Sequence, residues 1–178
     1  PCRFLLIVNA SNAGTVFDKR TVTPDGIEAT FQVNHLAGFL LTELLLDRLV
    51  ASAPARIVTT SSIGHFNGTM DFDDLGFERG YQIMRAYGRS KLANVLHTRQ
   101  LARRLEGTGV TVNCLHPGAV ATNIWSGAPW FARPFLEVAK RLMMVKPAVG
   151  GARIAHLATS PEVEGRTGGY YEQDQVKQ

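Results

Sequence analysis

Short apolar runs alternate with longer segments of helical periodicity along this chain. The first three runs are almost continuously apolar, as expected of strands buried on both faces of a sheet. The predicted strands are Phe4–Val8, Arg56–Thr60, Val110–Leu115 and Gly169–Tyr171. The predicted helices are Gly26–Ala51, Arg85–Glu106 and Pro147–Thr159. This alternation predicts an α/β fold with a parallel sheet and right-handed crossovers.

The second predicted helix shows which side faces the core. Its apolar positions predict a buried stripe that contains Leu92, Val95, Leu96 and Leu101.

Length and composition describe an ordinary folded domain. With 178 residues, 45% of them hydrophobic, the chain can bury a core, and we interpret residues 1–178 as one domain. The net charge of +4 comes from scattered basic groups, which disfavours a nucleic-acid-binding arm. Cys2 and Cys114 show no zinc-ligand spacing, so we expect no metal site and a reducing compartment. Without a recognisable signal peptide or long apolar span, a cytoplasmic location is predicted.

The segment Tyr87-Gly88-Arg89-Ser90-Lys91 carries the most chemistry. Residues four apart share a helix face, so Tyr87 and Lys91 are expected to point into one pocket. A neighbouring ammonium lowers the pKa of a phenol from about 10, which makes proton transfer feasible at neutral pH. By spacing alone such a pair occurs by chance in roughly one chain in ten, and an exposed surface pair is the alternative.

Ser62 strengthens the catalytic interpretation by its position. It directly follows the predicted strand that ends at Thr60 and its neighbour Ser61, and ligands of open α/β sheets bind outside the carboxyl ends of the strands. Tyr87 lies near the start of its helix, so we expect the two side chains to meet at one rim. There the Ser62 hydroxyl would orient a reacting oxygen.

The chain resembles the short-chain dehydrogenase/reductase family, and within it the retinol dehydrogenase-like branch. The segments that carry the resemblance are Asn12-Ala13-Gly14, Phe31-Gln32-Val33-Asn34-His35-Leu36, Ser61-Ser62, Tyr87 to Asn94, and His116-Pro117-Gly118 followed by Thr122. Their order and spacing agree over nearly the whole chain. The resemblance implies a Rossmann-like, doubly wound parallel sheet and NAD or NADP as the cofactor. It also permits a homodimer, because many relatives dimerise through the two long helices, and Gly26–Ala51 and Arg85–Glu106 are apolar enough to allow it here.

The resemblance also implies roles for four catalytic residues. Tyr87 resembles the general acid/base, and Lys91 the group that lowers its pKa and holds the nicotinamide ribose. Ser62 resembles the carbonyl-polarising hydroxyl, which leaves Ser61 a structural role. Asn34 resembles the asparagine that fixes a helix kink and a water on a proton path; a capping or buried amide is the alternative.

A second set of residues is implied to bind the cofactor, besides Tyr87 and Lys91. Asn12, Ala13 and Gly14 would line its adenosine side, although Ser11 replaces a usual asparagine. Pro117 and Gly118, with Thr122, would contact the carboxamide end. The Pro-Gly pair is also compatible with a plain turn.

The glycine-rich phosphate cradle of the family is missing from this sequence. No G-x-G-x-x-G occurs among the 17 glycines, so the first three strands of the fold are expected to be absent. We therefore expect either an excerpt of a longer protein or a truncated product. In the family's strand order Phe4–Val8 would pair with the missing first strand, so the isolated chain is predicted to be poorly soluble. The determinant of NAD against NADP preference is lost with that segment.

The segment at residues 125–146 is rich in aromatic and aliphatic side chains. As a flap over the site it indicates a hydrophobic substrate, and the resemblance points to retinoids, steroids or long-chain alcohols and aldehydes. A cover for the core is one alternative. Peripheral membrane contact is another, because basic residues flank the aromatics.

Two other functions compete with a dehydrogenase. A non-catalytic fragment or pseudoenzyme acting through protein contacts is compatible with the missing phosphate cradle. A serine hydrolase built on Ser62 with His65 or His116 lacks the G-x-S-x-G elbow and an orienting acid.

Overall fold

The computed structural model describes residues 5–9, 14–118 and 145–177. Its strands are β1 (Leu5–Asn9), β2 (Ala55–Thr60), β3 (Val110–His116), β4 (Tyr170–Glu172) and β5 (Gln175–Lys177). Its helical elements are α1 (Ala29–Phe31), a π-helical turn (Gln32–Leu36), α2 (Ala37–Ala51), a 3₁₀ turn (Ile63–Asn67), α3 (Ile83–Arg104), α4 (Pro147–Thr159) and a second 3₁₀ turn (Pro161–Val163).

The strands form one sheet in the order β1-β2-β3-β4-β5. Neighbours from β1 to β4 are parallel, with Ile7 opposite Ile57 and Val58 opposite Asn113. The last strand, β5, pairs antiparallel with β4. The four predicted strands are thus confirmed with ends shifted by at most one residue, whereas β5 was not predicted.

The long first helix is interrupted rather than continuous. Gly26 has a φ of +79° and lies in a turn, so helical structure begins at Ala29 instead. The buried Glu28 carboxylate caps this start by accepting the backbone N–H groups of Thr30 and Phe31, each at 2.8 Å. The π-helical turn then separates α1 from α2, and it lies at the position where the resemblance implied a kink.

Helices cover both faces of the sheet. One face packs against α2 and α3 through Leu46, Leu49, Ile57, Leu101 and Val112. The other packs against α4 through Val58, Leu115, Ile154, Leu157 and Tyr171. Adjacent residues of β2 therefore enter opposite cores, which confirms a doubly wound, Rossmann-like α/β architecture.

The predicted stripe of α3 is correct only in part. Val95 and Leu101 are buried, but Leu96 is 43% exposed. The buried face instead contains small and polar residues such as Asn94 and Thr98. Asn94 hydrogen-bonds the carbonyls of Asn34 in the π-helical turn and of Thr60 at the end of β2. Within the described ranges, every helix is too short or too polar to cross a bilayer.

Candidate active site

The candidate site lies at the carboxyl edge of the parallel strands. Ser62 follows the end of β2 in extended conformation and caps the 3₁₀ turn that begins at Ile63. Its Oγ accepts the N–H of Gly64 at 3.1 Å, and its carbonyl is 2.7 Å from Nδ1 of His65. These contacts fix the serine on the rim.

Tyr87 faces this serine from the first turns of α3. The side chain of Ser62 hydrogen-bonds the Tyr87 phenol, which lowers the pKa of Tyr87, but the larger effect of burial raises that pKa above its usual value. The structure thus brings together two of the predicted catalytic side chains.

Lys91 lies one helical turn beyond Tyr87 and is almost completely buried, with 2% of its surface exposed. Its Nζ is 5.7 Å from the centroid of the Tyr87 ring and donates to the carbonyl of Thr60 at 3.4 Å. Burial lowers the pKa of Lys91 to about 8.

The expected net lowering of the Tyr87 pKa is wrong for the chain's own residues. The net direction of the shift is upward. The physical reason is that removing the phenol from water disfavours its charged form more than the Ser62 hydrogen bond favours it.

Asn34 lies inside the π-helical turn and holds two other segments. Its side-chain Oδ1 accepts the N–H of Thr15 at 3.0 Å, and its Nδ2 donates to the Thr15 carbonyl at 3.1 Å. The same Nδ2 donates to Oγ of Ser90 at 3.1 Å. Ser90 in turn donates to the carbonyl of Tyr87 at 2.7 Å, so Asn34 connects the segment after Gly14 with α3.

Ser61 has the structural position that was expected. Its Oγ donates to the carbonyl of Lys91 at 2.8 Å, and its N–H donates to the carbonyl of Leu115. It thereby joins the end of β2 to α3 and to β3.

Three glycines allow the serine turn to approach α3 closely. A Cβ at Gly64 would lie 2.9 Å from Cε1 of Tyr87. A Cβ at Gly88 would lie 2.8 Å from the carbonyl oxygen of Gly64, and one at Gly68 would lie 2.5 Å from the carbonyl carbon of Gly88. Only hydrogen fits at these positions, so they set the separation between Ser62 and Tyr87.

The remaining predicted cofactor residues are only partly described. The Pro117 carbonyl accepts a 2.9 Å hydrogen bond from Arg153, and Gly118 adopts a φ of +101°. A Cβ at Gly118 would lie 2.8 Å from both Arg153 and Val145, so the pair forms a tight turn against α4. The predicted residues Asn12, Ala13 and Thr122 lie outside the described residues, as does the flap at 125–146 except for its last two residues.

Sequence reasoning did not single out Thr15, Thr60, Ser90 or Asn94 as parts of the site. Ser90 and Asn94 are buried although they are polar and lie in mid-helix, and such residues need hydrogen-bond partners. Their helical spacing from Tyr87 and Lys91 was the available signal, because positions three and four apart share a face.

Comparison with known proteins agrees with this arrangement. A family model for short chain dehydrogenases matches residues 4–129, which include the serine, the tyrosine and the lysine of the site. The chain belongs to the short chain dehydrogenase family.

Curated members of the family resemble it closely. Retinol dehydrogenase 14 of Mus musculus is 48% identical over 168 residues, covering 93% of this chain and 50% of that protein. Retinol dehydrogenase 13 of Homo sapiens is 42% identical over 167 residues, covering 91% and 50%. The chain therefore spans about half the length of the curated relatives it matches.

Solved structures share the fold. An uncharacterized protein from Mycobacterium Paratuberculosis superposes with a TM-score of 0.66 at 30% identity, covering 93% of this chain and 52% of that one. The Pseudomonas aeruginosa RhlG/NADP active-site complex superposes with a TM-score of 0.66 at 24% identity, covering 96% and 64%. In the described part of this family member, no group of three or more metal-ligating side chains comes together.

Proposed function

We propose that the protein containing this chain is an NAD(P)-dependent oxidoreductase that interconverts a hydrophobic alcohol with its aldehyde or ketone. The observation that carries the proposal is the buried arrangement at the sheet edge, where the Tyr87 phenol meets the Ser62 hydroxyl and the Lys91 amine lies over the Tyr87 ring. Family membership supports the same reaction class.

The residues of the rim fit the nicotinamide end of such a cofactor. An ammonium carries three donors, and among the described residues the hydrogen bond of Lys91 is the long one to Thr60. Donors therefore remain for the hydroxyls of a ribose. When bound, the nicotinamide supplies or accepts the hydride.

Proton transfer falls to the chain's own side chains. Because burial raises the pKa of Tyr87, the phenol is protonated at neutral pH and can donate to a carbonyl oxygen as hydride reaches the carbon. The products at these two centres are an alcohol and a tyrosinate. Ser62 donates a hydrogen bond to the same oxygen, and the Lys91 ammonium stabilises the tyrosinate until a proton returns. Oxidation of the alcohol follows the reverse order.

A hydrophobic substrate is supported by side chains next to the serine. Ile63 and Phe66, on the turn that Ser62 caps, are 50% and 70% exposed, so apolar surface borders the rim. The aromatic sequence at 125–146 and the names of the retinol dehydrogenase relatives point in the same direction. Asn12, Ala13, Gly14, Pro117, Gly118 and Thr122 remain proposed cofactor contacts.

A homodimer through α2 and α3 belongs to the same proposal. Leu40, Leu44 and Leu96 are large apolar side chains with exposed fractions of 57%, 74% and 43%, and Glu43 of α2 pairs with Arg104 of α3 at 2.8 Å. Light scattering is expected to show a dimer that Leu44→Glu dissociates. A monomeric unsubstituted protein would contradict this part.

Cofactor binding is the direct test of the function. NADH and NADPH fluorescence titrations use the protein encoded by the reading frame that contains this chain, followed by reduction of retinal or decanal. We expect saturable binding and turnover, with turnover lost in Tyr87→Phe. Tyr81→Phe is the matched control, since it also removes a partly buried phenol, one that donates to Phe17 at 3.0 Å. Absence of binding would favour the non-catalytic alternative.

A further inference from the structure

The buried side-chain amide of Asn94, which lies three residues after Lys91 on α3, has a single possible orientation. Nδ2 of Asn94 donates to the carbonyl of Asn34 at 3.0 Å and to the carbonyl of Thr60 at 3.1 Å. Peptide carbonyls can only accept, so both N–H groups of this amide must face them. The side-chain oxygen of Asn94 is therefore directed to its remaining partner.

That partner is His35, whose Nδ1 lies 2.9 Å from Oδ1 of Asn94. An amide oxygen accepts and cannot donate, so Nδ1 of His35 must carry a proton. Burial lowers the pKa of His35, which favours the neutral ring at neutral pH. In the neutral ring the proton is then on Nδ1, and Nε2 has a lone pair.

The Thr60 carbonyl joins this network to the site. It accepts from Nδ2 of Asn94 at 3.1 Å and from Nζ of Lys91 at 3.4 Å. A continuous series of hydrogen bonds thus runs from His35 through Asn94 to Thr60 and ends at Lys91. The same amide binds the Asn34 carbonyl, so it also holds the π-helical turn against the end of β2.

We propose that Asn94 and His35 are positioning residues for Lys91: they fix the Thr60 carbonyl as the acceptor of the Lys91 ammonium and so hold that ammonium over Tyr87. The proposal rests on the proposed function for its kinetic consequence, but the hydrogen-bond network stands on geometry alone. Neither residue touches the reacting atoms.

Other ionisable groups surround the histidine. The ring of His97 on α3 lies 6.1 Å from that of His35, edge to face. The positive charge of Lys91 lowers the pKa of His35, in addition to the larger effect of burial. Burial lowers the pKa of His97 most, while the charge of Glu43 raises it and that of Arg104 lowers it. The side chains that pack on His35 from its own helical segment, Phe31 and Phe39, are apolar. Among these groups, Lys91 is therefore the cation of the proposed site whose charge affects the pKa of His35.

The hydrogen-bond network is tested first by a measurement that does not require catalytic activity. Nitrogen-15 NMR of the imidazoles, on the protein encoded by the reading frame that contains this chain, reports which His35 nitrogen is protonated. We expect the Nδ1–H tautomer, and loss of that preference in Asn94→Ala. An Nε2–H tautomer in the unsubstituted protein would overturn the proposal.

Kinetics then separate positioning from simple structural support. We expect Asn94→Ala to lower kcat roughly tenfold, as one hydrogen bond to a charged group is weakened, with the KM for decanal little changed. The alkaline limb of the pH profile should move to lower pH, because an ammonium that loses its oriented acceptor deprotonates more easily. His35→Asn keeps a donor near the Nδ1 position and should retain most activity, whereas His35→Leu should resemble Asn94→Ala.

Asn113→Ala is the matched control. Asn113 is 3% exposed against 2% for Asn94, and it bonds Arg166 and Gly169 rather than the site. It should lower stability without moving the pH profile. An equal shift in both variants, or none in Asn94→Ala, would overturn the positioning role. An unsubstituted protein without nicotinamide-dependent turnover would contradict the proposed function instead, and the tautomer measurement would still decide the network.

Discussion

Replacing Gly68 with alanine tests how the serine turn and the tyrosine helix are held together. Gly68 has a φ of −87° and a ψ of 144°, which alanine adopts without strain. The effect of Gly68→Ala therefore comes from contact alone. Its Cβ would lie 2.5 Å from the carbonyl carbon of Gly88, 2.9 Å from the N of Arg89, and nearer still to the Gly88 oxygen.

The size of the effect follows from these distances. Ordinary contact begins at 3.4 Å, so a Cβ 2.5 Å from the Gly88 carbon requires a shift of about 0.9 Å. The obstructing atoms are helix backbone and cannot rotate away. Overpacking of this kind costs about 1–3 kcal/mol of stability. Because the shift separates Ser62 from Tyr87, activity should fall roughly 100-fold, the typical effect of a 1 Å misplacement.

Urea denaturation and decanal reduction measure the two effects in the protein encoded by the reading frame that contains this chain. The control is Gly151→Ala, because Gly151 lies in α4 with nothing within 4 Å of its Cβ position. That change should be neutral or stabilise by up to about 1 kcal/mol through helix propensity. If Gly68→Ala matched Gly151→Ala in both stability and activity, the close approach would not position the site.

Three further predictions concern buried groups and the sheet edge. The pKa of Lys91 falls from 10.5 to about 8 on folding. Between these two pH values the unfolded chain binds more protons than the folded one, so the folded state becomes more stable as pH rises. Relative to Lys91→Met, the unsubstituted protein should gain up to about 3 kcal/mol of stability over this range. Parallel stability curves for the two would contradict this. Burial raises the pKa of Cys114 to about 12, so iodoacetamide should label this thiol only on unfolding, as site-resolved mass spectrometry would show, and rapid native labelling would count against it. In the isolated chain β1 is an edge strand, and light scattering should detect concentration-dependent association, whereas a sharp monomeric gel-filtration peak with cooperative melting would refute it.

Regular patterns were the part of the fold that sequence reasoning predicted well. The strands β2 and β3 are apolar runs buried inside the sheet, and hydrophobicity alone identifies them. The apolar run of β1 identifies that strand in the same way. The hairpin to β5 was missed because its turn residues, Gln173 and Asp174, have φ values of 50° and 65° without the glycine that usually indicates such a turn. The strand itself is exposed, so it has no apolar pattern.

The residues of the candidate site also differ in how far the sequence could predict them. The closeness of Tyr87, Lys91 and Ser62 could be predicted from the helical spacing of the first two and from the position of Ser62 directly after a strand. Helical spacing could place Asn94 on the same face as Lys91, but its proposed role could not be predicted, because that role depends on two carbonyls contributed by Asn34 and Thr60, which are distant in sequence. The upward pKa shift of Tyr87 was missed for a related reason, since burial is a property of the assembled fold.

Transfer of deuteride tests the central claim most directly. The protein encoded by the reading frame that contains this chain would be incubated with NADH or NADPH deuterated at both C4 positions and with retinal or decanal, and the alcohol analysed by mass spectrometry. The account predicts one deuterium on the carbinol carbon, abolished in Tyr87→Phe and retained in Tyr81→Phe. An alcohol without deuterium, no alcohol at all, or a Tyr87→Phe variant as fast as the unsubstituted protein would contradict it.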